Sequence, residues 1–265
     1  MSSMRPEHRT VDRAALARDP AHMRPLANLA LAAAALVACV SPAEPGETNS
    51  PDTVLLRGWT VHIGPDLSRE PELRGPVLEL LEAKLREVDT RLPSEVVTRL
   101  RQVPFRMHLD RKGCPGGVYH PSAEWLADHD LDPAWAGGIE FGHARNFLSW
   151  VHTQPSFVMH ELTHAWHHQV LGYDHTGLLS AYTEAKDQGI YAEVLYVHGE
   201  RKPAYALNNV QEYFAEASEA WWGTNDFYPF VRAELMEHDP RLAQLLAEVW
   251  AGLPASGEEQ GRAPR

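Results

Sequence analysis

Cysteine is almost missing from this chain: there are two, Cys39 and Cys114, in 265 residues. Two thiols cannot make a disulfide framework, so a packed core has to hold the fold. Cationic residues are also scarce, 24 Lys and Arg against 36 Asp and Glu, for a formal net charge of −12. With no lysine- or arginine-rich stripe, nucleic acid is excluded as an expected partner. Long apolar runs are lacking as well. The longest covers residues 26–37 and is interrupted by Asn28, too short to cross a bilayer as a permanent helix. There is no internal repeat. What the chain does have is a 44% hydrophobic content, enough to bury the core of one sizeable domain, or of two small ones at most.

The short apolar run has a particular setting. Arg24 precedes it, and it ends in Leu-Val-Ala-Cys at 36–39, which resembles the lipobox of exported bacterial lipoproteins. That resemblance implies a chain lipidated at Cys39 and anchored in the cell envelope, touching the membrane through the lipid alone. The alternative is an ordinary secretory signal with an incidental cysteine. Residues 1–22 then read as a long basic leader or as sequence upstream of the true start. The expected organisation is a signal segment over 1–39, a flexible tether over 40–52, a domain over 53–254 and a disordered tail over 255–265. Cys114, in Arg-Lys-Gly-Cys-Pro-Gly-Gly, is left as a buried thiol, an exposed reactive thiol or an inhibitory metal ligand.

Within the domain the periodicities are mixed. Residues 56–63 alternate like a strand, 104–109 and 137–141 read as shorter strands, and 75–89 and 94–102 carry helical stripes. A short helix is expected over 124–130. From Pro155 the pattern is mostly helical, over 155–171, 177–187, 209–222, 227–237 and 239–252. A few strands followed by many helices indicate α+β rather than alternating α/β. Gly-Gly-Ile-Glu-Phe at 137–141 is the candidate edge strand for pairing with a substrate.

Five histidines and one glutamate crowd into residues 158–175. Among them His160-Glu161-Leu162-Thr163-His164 is an H-E-x-x-H pattern. Residues four apart share a helix face, so two imidazoles can reach one zinc ion, while Glu161, about 100° round the helix, can take a proton from a water. With fifteen histidines in the chain, context has to carry the rest. His167 and His168 fall near the same face and are possible alternative ligands. The metzincin pattern requires glycine at 167 and histidine at 170. His167 and Val170 exclude that group.

A third ligand is needed, with one position left open. Glu184 stands twenty residues after His164, but Thr183 and Gln188 replace the neighbours that thermolysin-like spacing brings. Glu212 stands in a second candidate stretch, with Tyr205 seven residues before it, Asn209 three before and Glu216 four after. Glu212, Glu216 and Glu219 form one helical stripe. It can also be read as an acidic surface, or Glu212 as the far half of a capping box opened by Asn209.

H-E-x-x-H followed by Tyr-x-x-x-Asn-x-x-Glu-x-Phe-Ala-Glu resembles the catalytic domain of the anthrax lethal factor-like zinc peptidases, over residues 158–222. The resemblance implies a zincin-like metallopeptidase domain, a small mixed sheet packed on several helices, holding one Zn²⁺ per chain through His160, His164 and Glu212. It further implies Glu161 and Tyr205 as catalytic residues, with Asn209 and Glu216 behind the ligands and a peptide or protein as substrate. With Asn-Asp-Phe-Tyr-Pro-Phe-Val-Arg-Ala-Glu-Leu at 225–235, the chain also resembles a group of bacterial and fungal proteins of unassigned substrate. The rival expectation is an envelope module that binds zinc without turnover.

The N-terminal reading yields a first test. Mass spectrometry of the mature chain is expected to find an N-terminus at Cys39 carrying lipid. A chain that keeps residues 1–38 unmodified in the cytoplasm would refute the anchor.

Overall fold

The computed structural model describes residues 52–114, 116–129 and 131–251. Cys39, the signal segment, the tether up to residue 51 and the tail 255–265 lie outside the described residues. The chain runs β1 (Asp52–Leu56), β2 (Trp59–Ile63), α1 (Pro65–Ser68), α2 (Pro71–Arg91), α3 (Ser94–Leu100), β3 (Phe105–Met107), β4 (Gly117–Tyr119), α4 (Ala123–Asp128), β5 (Ile139–Phe141), α5 (Ala144–Trp150) and α6 (Phe157–Trp166). It continues through α7 (Thr176–Gln188), β6 (Val194–Leu195), β7 (Arg201–Lys202), α8 (Val210–Trp222), α9 (Arg232–His238) and α10 (Pro240–Val249). The class is α+β, with a small mixed sheet and ten α-helices among the described residues.

Five strands form the main sheet in the order β1-β2-β3-β5-β4. The β2-β3 and β3-β5 pairs are parallel, and the β1-β2 and β5-β4 pairs antiparallel. Register aligns two rows of side chains on one face: Val61, Phe105, Ile139 and Tyr119, then Ile63, Met107, Phe141 and Gly117. Every side chain in these rows is buried, which follows from the two-residue period of a strand. Helices α2, α3 and α6 cover that face and pack against one another. The opposite face carries His62, Arg106, Glu140 and Val118.

Several expectations need correction. The strand over 56–63 is a hairpin folded back at Arg57 and Gly58, both with positive φ (49° and 93°). Two such residues make the tight turn whose twist suits a hairpin, and glycine is at ease in the second place. Asp52, assigned to the tether, belongs to β1. Residues 137–141 do not provide the sheet edge: β5 is an interior strand and β4 is the edge. The helix expected over 155–171 ends at Trp166 and widens into a π-turn over His167–Leu171, closed by Gly172 at φ 80°. Residues 225–231 are irregular, so the helix expected from 227 starts at Arg232.

Arg111 and Gly116 are pinned to the end of β5. Arg111 N–H donates to Gly142 O at 2.7 Å, and Gly142 N–H donates to Gly116 O at 3.1 Å. A side chain on Gly142 would collide with the Cys114 carbonyl and come within 2.7 Å of Cys114 Cβ and Sγ. Burial pushes the Cys114 thiol up to about 11, so it is a poor nucleophile at neutral pH. Gly142→Ala is expected to cost about 1–3 kcal/mol in urea unfolding through overpacking. It should also speed alkylation of Cys114, read on the peptide by mass spectrometry. An unchanged alkylation rate would show that the loop accepts a methyl group in place.

Candidate metal centre

All ten residues of α6 are buried. Phe157, Val158, Leu162, Ala165 and Trp166 join the core, and Thr163 bonds the carbonyl one turn back, Met159 O, at 2.8 Å. The helix is therefore held on all sides, and His160, Glu161 and His164 are the polar groups left to meet a partner. That partner is α8, which packs along α6.

His160 Nε2 lies 3.0 Å from His164 Nε2 and 3.0 Å from Glu212 Oε2. His164 Nε2 lies 3.5 Å from the same carboxylate oxygen. Two ligands each about 2.0–2.1 Å from one tetrahedral ion stand roughly 3.4 Å apart. The three atoms thus have the mutual spacing of a three-ligand site, and their chemistry, two imidazoles and a carboxylate, suits zinc. All three residues are buried. Burial alone would raise the Glu212 carboxyl, but His164 and His160 outweigh it and hold that carboxyl well below the usual carboxylate range.

The start of α8 is set by Asn209, whose Oδ1 accepts from Glu212 N–H at 2.8 Å. Only half of a capping box forms. Glu212 keeps its backbone donor on the cap and spends its carboxylate on the imidazoles. Further along α8, His160 Nδ1–H donates to Glu219 Oε1 at 2.7 Å, while Glu216 Oε1 stands 3.8 Å from the same nitrogen. With the proton on Nδ1 toward Glu219, Nε2 would be the atom that binds a metal beside Glu212 and His164. Glu216, expected behind the ligands, lies near His160, and Glu219 makes the shorter contact with it. The signal was available: Glu219 follows Glu212 by seven residues, two turns along one stripe.

Glu161 is buried and turned toward the sheet edge. A Cβ on Gly117 would stand 3.2 Å from Glu161 Oε1 and 2.6 Å from Phe141 Cε1, so glycine at 117 makes room for the carboxylate. Gly117 carries no sequence motif that would have marked it. Tyr205 stands half-buried in a 3₁₀ turn that packs against α8.

The other candidates are elsewhere. Glu184 is exposed on α7 and pairs with Arg241 and Gln188. His168 Nδ1 bonds Tyr119 Oη at 2.8 Å, which the π-turn makes reachable. His167 is fully buried between Tyr173 and Phe214, and burial lowers it to about 3, so it is neutral.

Zinc retention in a chelator competition separates these roles. Glu212→Gln is expected to release zinc far more readily than Glu184→Gln, since only the former removes a donor atom. Glu219→Gln should weaken binding about 10–100-fold, the usual effect of losing the group that orients a histidine. The reverse order for Glu212 and Glu184 would leave Glu212 with its helix-start role alone.

The chain matches no model of a known protein family, no curated protein and no solved structure.

Proposed function

We propose that the protein is a zinc-dependent peptidase of zincin type, lipid-anchored in the cell envelope through Cys39. The observation that carries the reading is the convergence of His160 Nε2, His164 Nε2 and Glu212 Oε2 within 3.0–3.5 Å of one another. His160, His164 and Glu212 would hold the zinc. A bound zinc supplies Lewis acidity toward a carbonyl and acidifies a water. The remaining roles belong to the chain. Glu161 takes the proton of the attacking water and returns it to the leaving amine. Tyr205 donates a hydrogen bond to the oxyanion as it develops.

The sheet edge supports a peptide substrate. Gly116 pairs with Gly142, and His120 with Gly138, through backbone hydrogen bonds across β4 and β5. Alternation in an antiparallel ladder then turns the N–H and C=O groups of Gly117 and Tyr119 away from β5. Among the described residues no strand pairs with that outer edge. An extended peptide can add there as a further strand, beside Gly117 and hence beside Glu161.

An intact proton acceptor beside the ligands favours turnover over a module that merely binds zinc. Screened against a peptide library, the wild type is expected to cleave. Glu161→Gln should retain zinc and fold but lose about 10²–10⁴-fold in rate. Tyr205→Phe should lose about 10²–10³ in kcat with little change in KM. Zinc-loaded protein that cleaves nothing would favour the binding module. Equal cleavage by Glu161→Gln would remove the assigned mechanism.

A further inference from the structure

His168, first weighed as a metal ligand, is left without a role by the peptidase reading, and so is Gln169 beside it in the π-turn. Both meet the edge strand. β4 packs along α6, with Gly117 beside Glu161 at one end. Two residues on, Tyr119 reaches the π-turn. Tyr119 is 1% exposed. Its hydroxyl stands 2.8 Å from His168 Nδ1 and 3.0 Å from Gln169 Nε2.

The available protons set the direction of these bonds. Gln169 Nε2 also lies 3.4 Å from Gly137 O, and only the NH₂ end of the amide can donate to both oxygens. The Tyr119 oxygen therefore accepts from Gln169. Burial pushes the Tyr119 hydroxyl up to about 12, with the Gln169 bond opposing, so the phenol keeps its proton at neutral pH. Among the described residues, the acceptor within reach of that proton is His168 Nδ1. Burial lowers His168 below the ordinary imidazole value, which keeps the ring neutral. A neutral ring that accepts at Nδ1 carries its own proton on Nε2. His168 is only partly buried, and its Nε2 makes no hydrogen bond among the described residues. The chain from Gln169 through Tyr119 thus leaves one oriented N–H donor beside the edge strand.

A peptide paired with the outer edge of β4 extends the sheet by one strand. Directly opposed residues project to the same face, and the faces alternate along each strand. The peptide residue level with Tyr119 therefore projects to the face that α6 and the π-turn cover, as does the residue level with Gly117. An oxygen on that side chain can accept from Nε2–H. An apolar side chain there would take water from the donor and give nothing back.

We propose that His168 is a specificity-determining residue, whose Nε2–H selects a substrate side chain with an acceptor oxygen, amide or carboxylate, at the position level with Tyr119. Tyr119 and Gln169 are positioning residues, since they fix the ring and its proton without meeting the substrate. The inference rests on the peptidase reading and on substrate pairing at β4.

Kinetics on a peptide that the wild type cleaves tests it. Each position within about three residues of the scissile bond, the span of strand from Gly117 to Tyr119 and its neighbour, is made Gln, Glu or Leu in turn. One position should favour Gln or Glu over Leu by roughly 3–10-fold, the worth of one hydrogen bond, and mainly through KM. Gln above Glu identifies the amide as the preferred acceptor, and the reverse order the carboxylate. His168→Leu should erase the preference while zinc content is retained, and His168→Gln, which keeps an N–H donor, should restore part of it. Tyr119→Phe should weaken it, because the ring proton is then free to move to Nδ1. Should the variants fail to fold, ¹⁵N NMR of the histidines in the wild type gives a second measurement, with His168 expected as the neutral Nε2–H form. Absence of any acceptor preference, a preference that survives in His168→Leu, or a proton on Nδ1 would each overturn the proposal and leave cleavage itself intact. A wild type that cleaves nothing refutes the peptidase reading, and this one with it.

Discussion

Everything near the candidate centre depends on two imidazoles of α6 lying against a row of carboxylates on α8. A buried carboxylate without a partner costs several kcal/mol, and α8 buries three, Glu212, Glu216 and Glu219. Rotating either helix by a residue would strip these groups of their partners, so the pairing sets the rotation of both helices. The same contacts turn the Nε2 atoms of His160 and His164 toward one point. If the proposed metal binds, stability and metal affinity would share one set of atoms, and a change that loosens one would loosen the other. Asn209 sets the phase of this arrangement by fixing where α8 begins.

The sheet supplies the second boundary. Its inner face presses α6 against α8 with two rows of large apolar side chains, and the row nearest the site ends in Gly117, where a side chain would meet Phe141 and Glu161. The outer face is polar and held differently. Glu140 receives His108 Nε2 at 2.8 Å, His120 Nε2 at 3.0 Å and the Arg111 guanidinium. Burial and the nearby Arg111 lower His108 to about 4, so it meets Glu140 as a neutral donor. This cluster ties the strands next to the site to the loop that carries Cys114.

Much of this was legible in the chain. The α+β class follows from a few short alternating runs ahead of many helical ones, and the helices with strong stripes stand close to where they were expected. The donor residues His160, His164 and Glu212 were named from spacing and resemblance, and their donor atoms come together. Short elements were less legible. β4, α5 and the β6-β7 pair are three to seven residues, or two each in the pair, too few to develop a period. The turn inside 56–63 was missed because Arg57 is an unusual residue at positive φ. The interior position of β5 was missed because a three-residue strand buried on both faces looks the same as an edge strand in sequence.

By itself the sequence determined which groups are available and at what helical phase: two imidazoles four residues apart, and carboxylates on one stripe of another helix. Periodicity is a property of a single element, so one strand of residues suffices to read it. Only the tertiary structure brings Glu212 and not Glu184 beside the imidazoles, because each lies on a well-formed helix and the outcome depends on which helix packs against α6. It likewise decided that Glu219 stands closer to His160 than Glu216 does, and that Gly117 clears the space for Glu161. Those outcomes rest on distances between segments far apart in the chain, and local patterns carry no information about such distances.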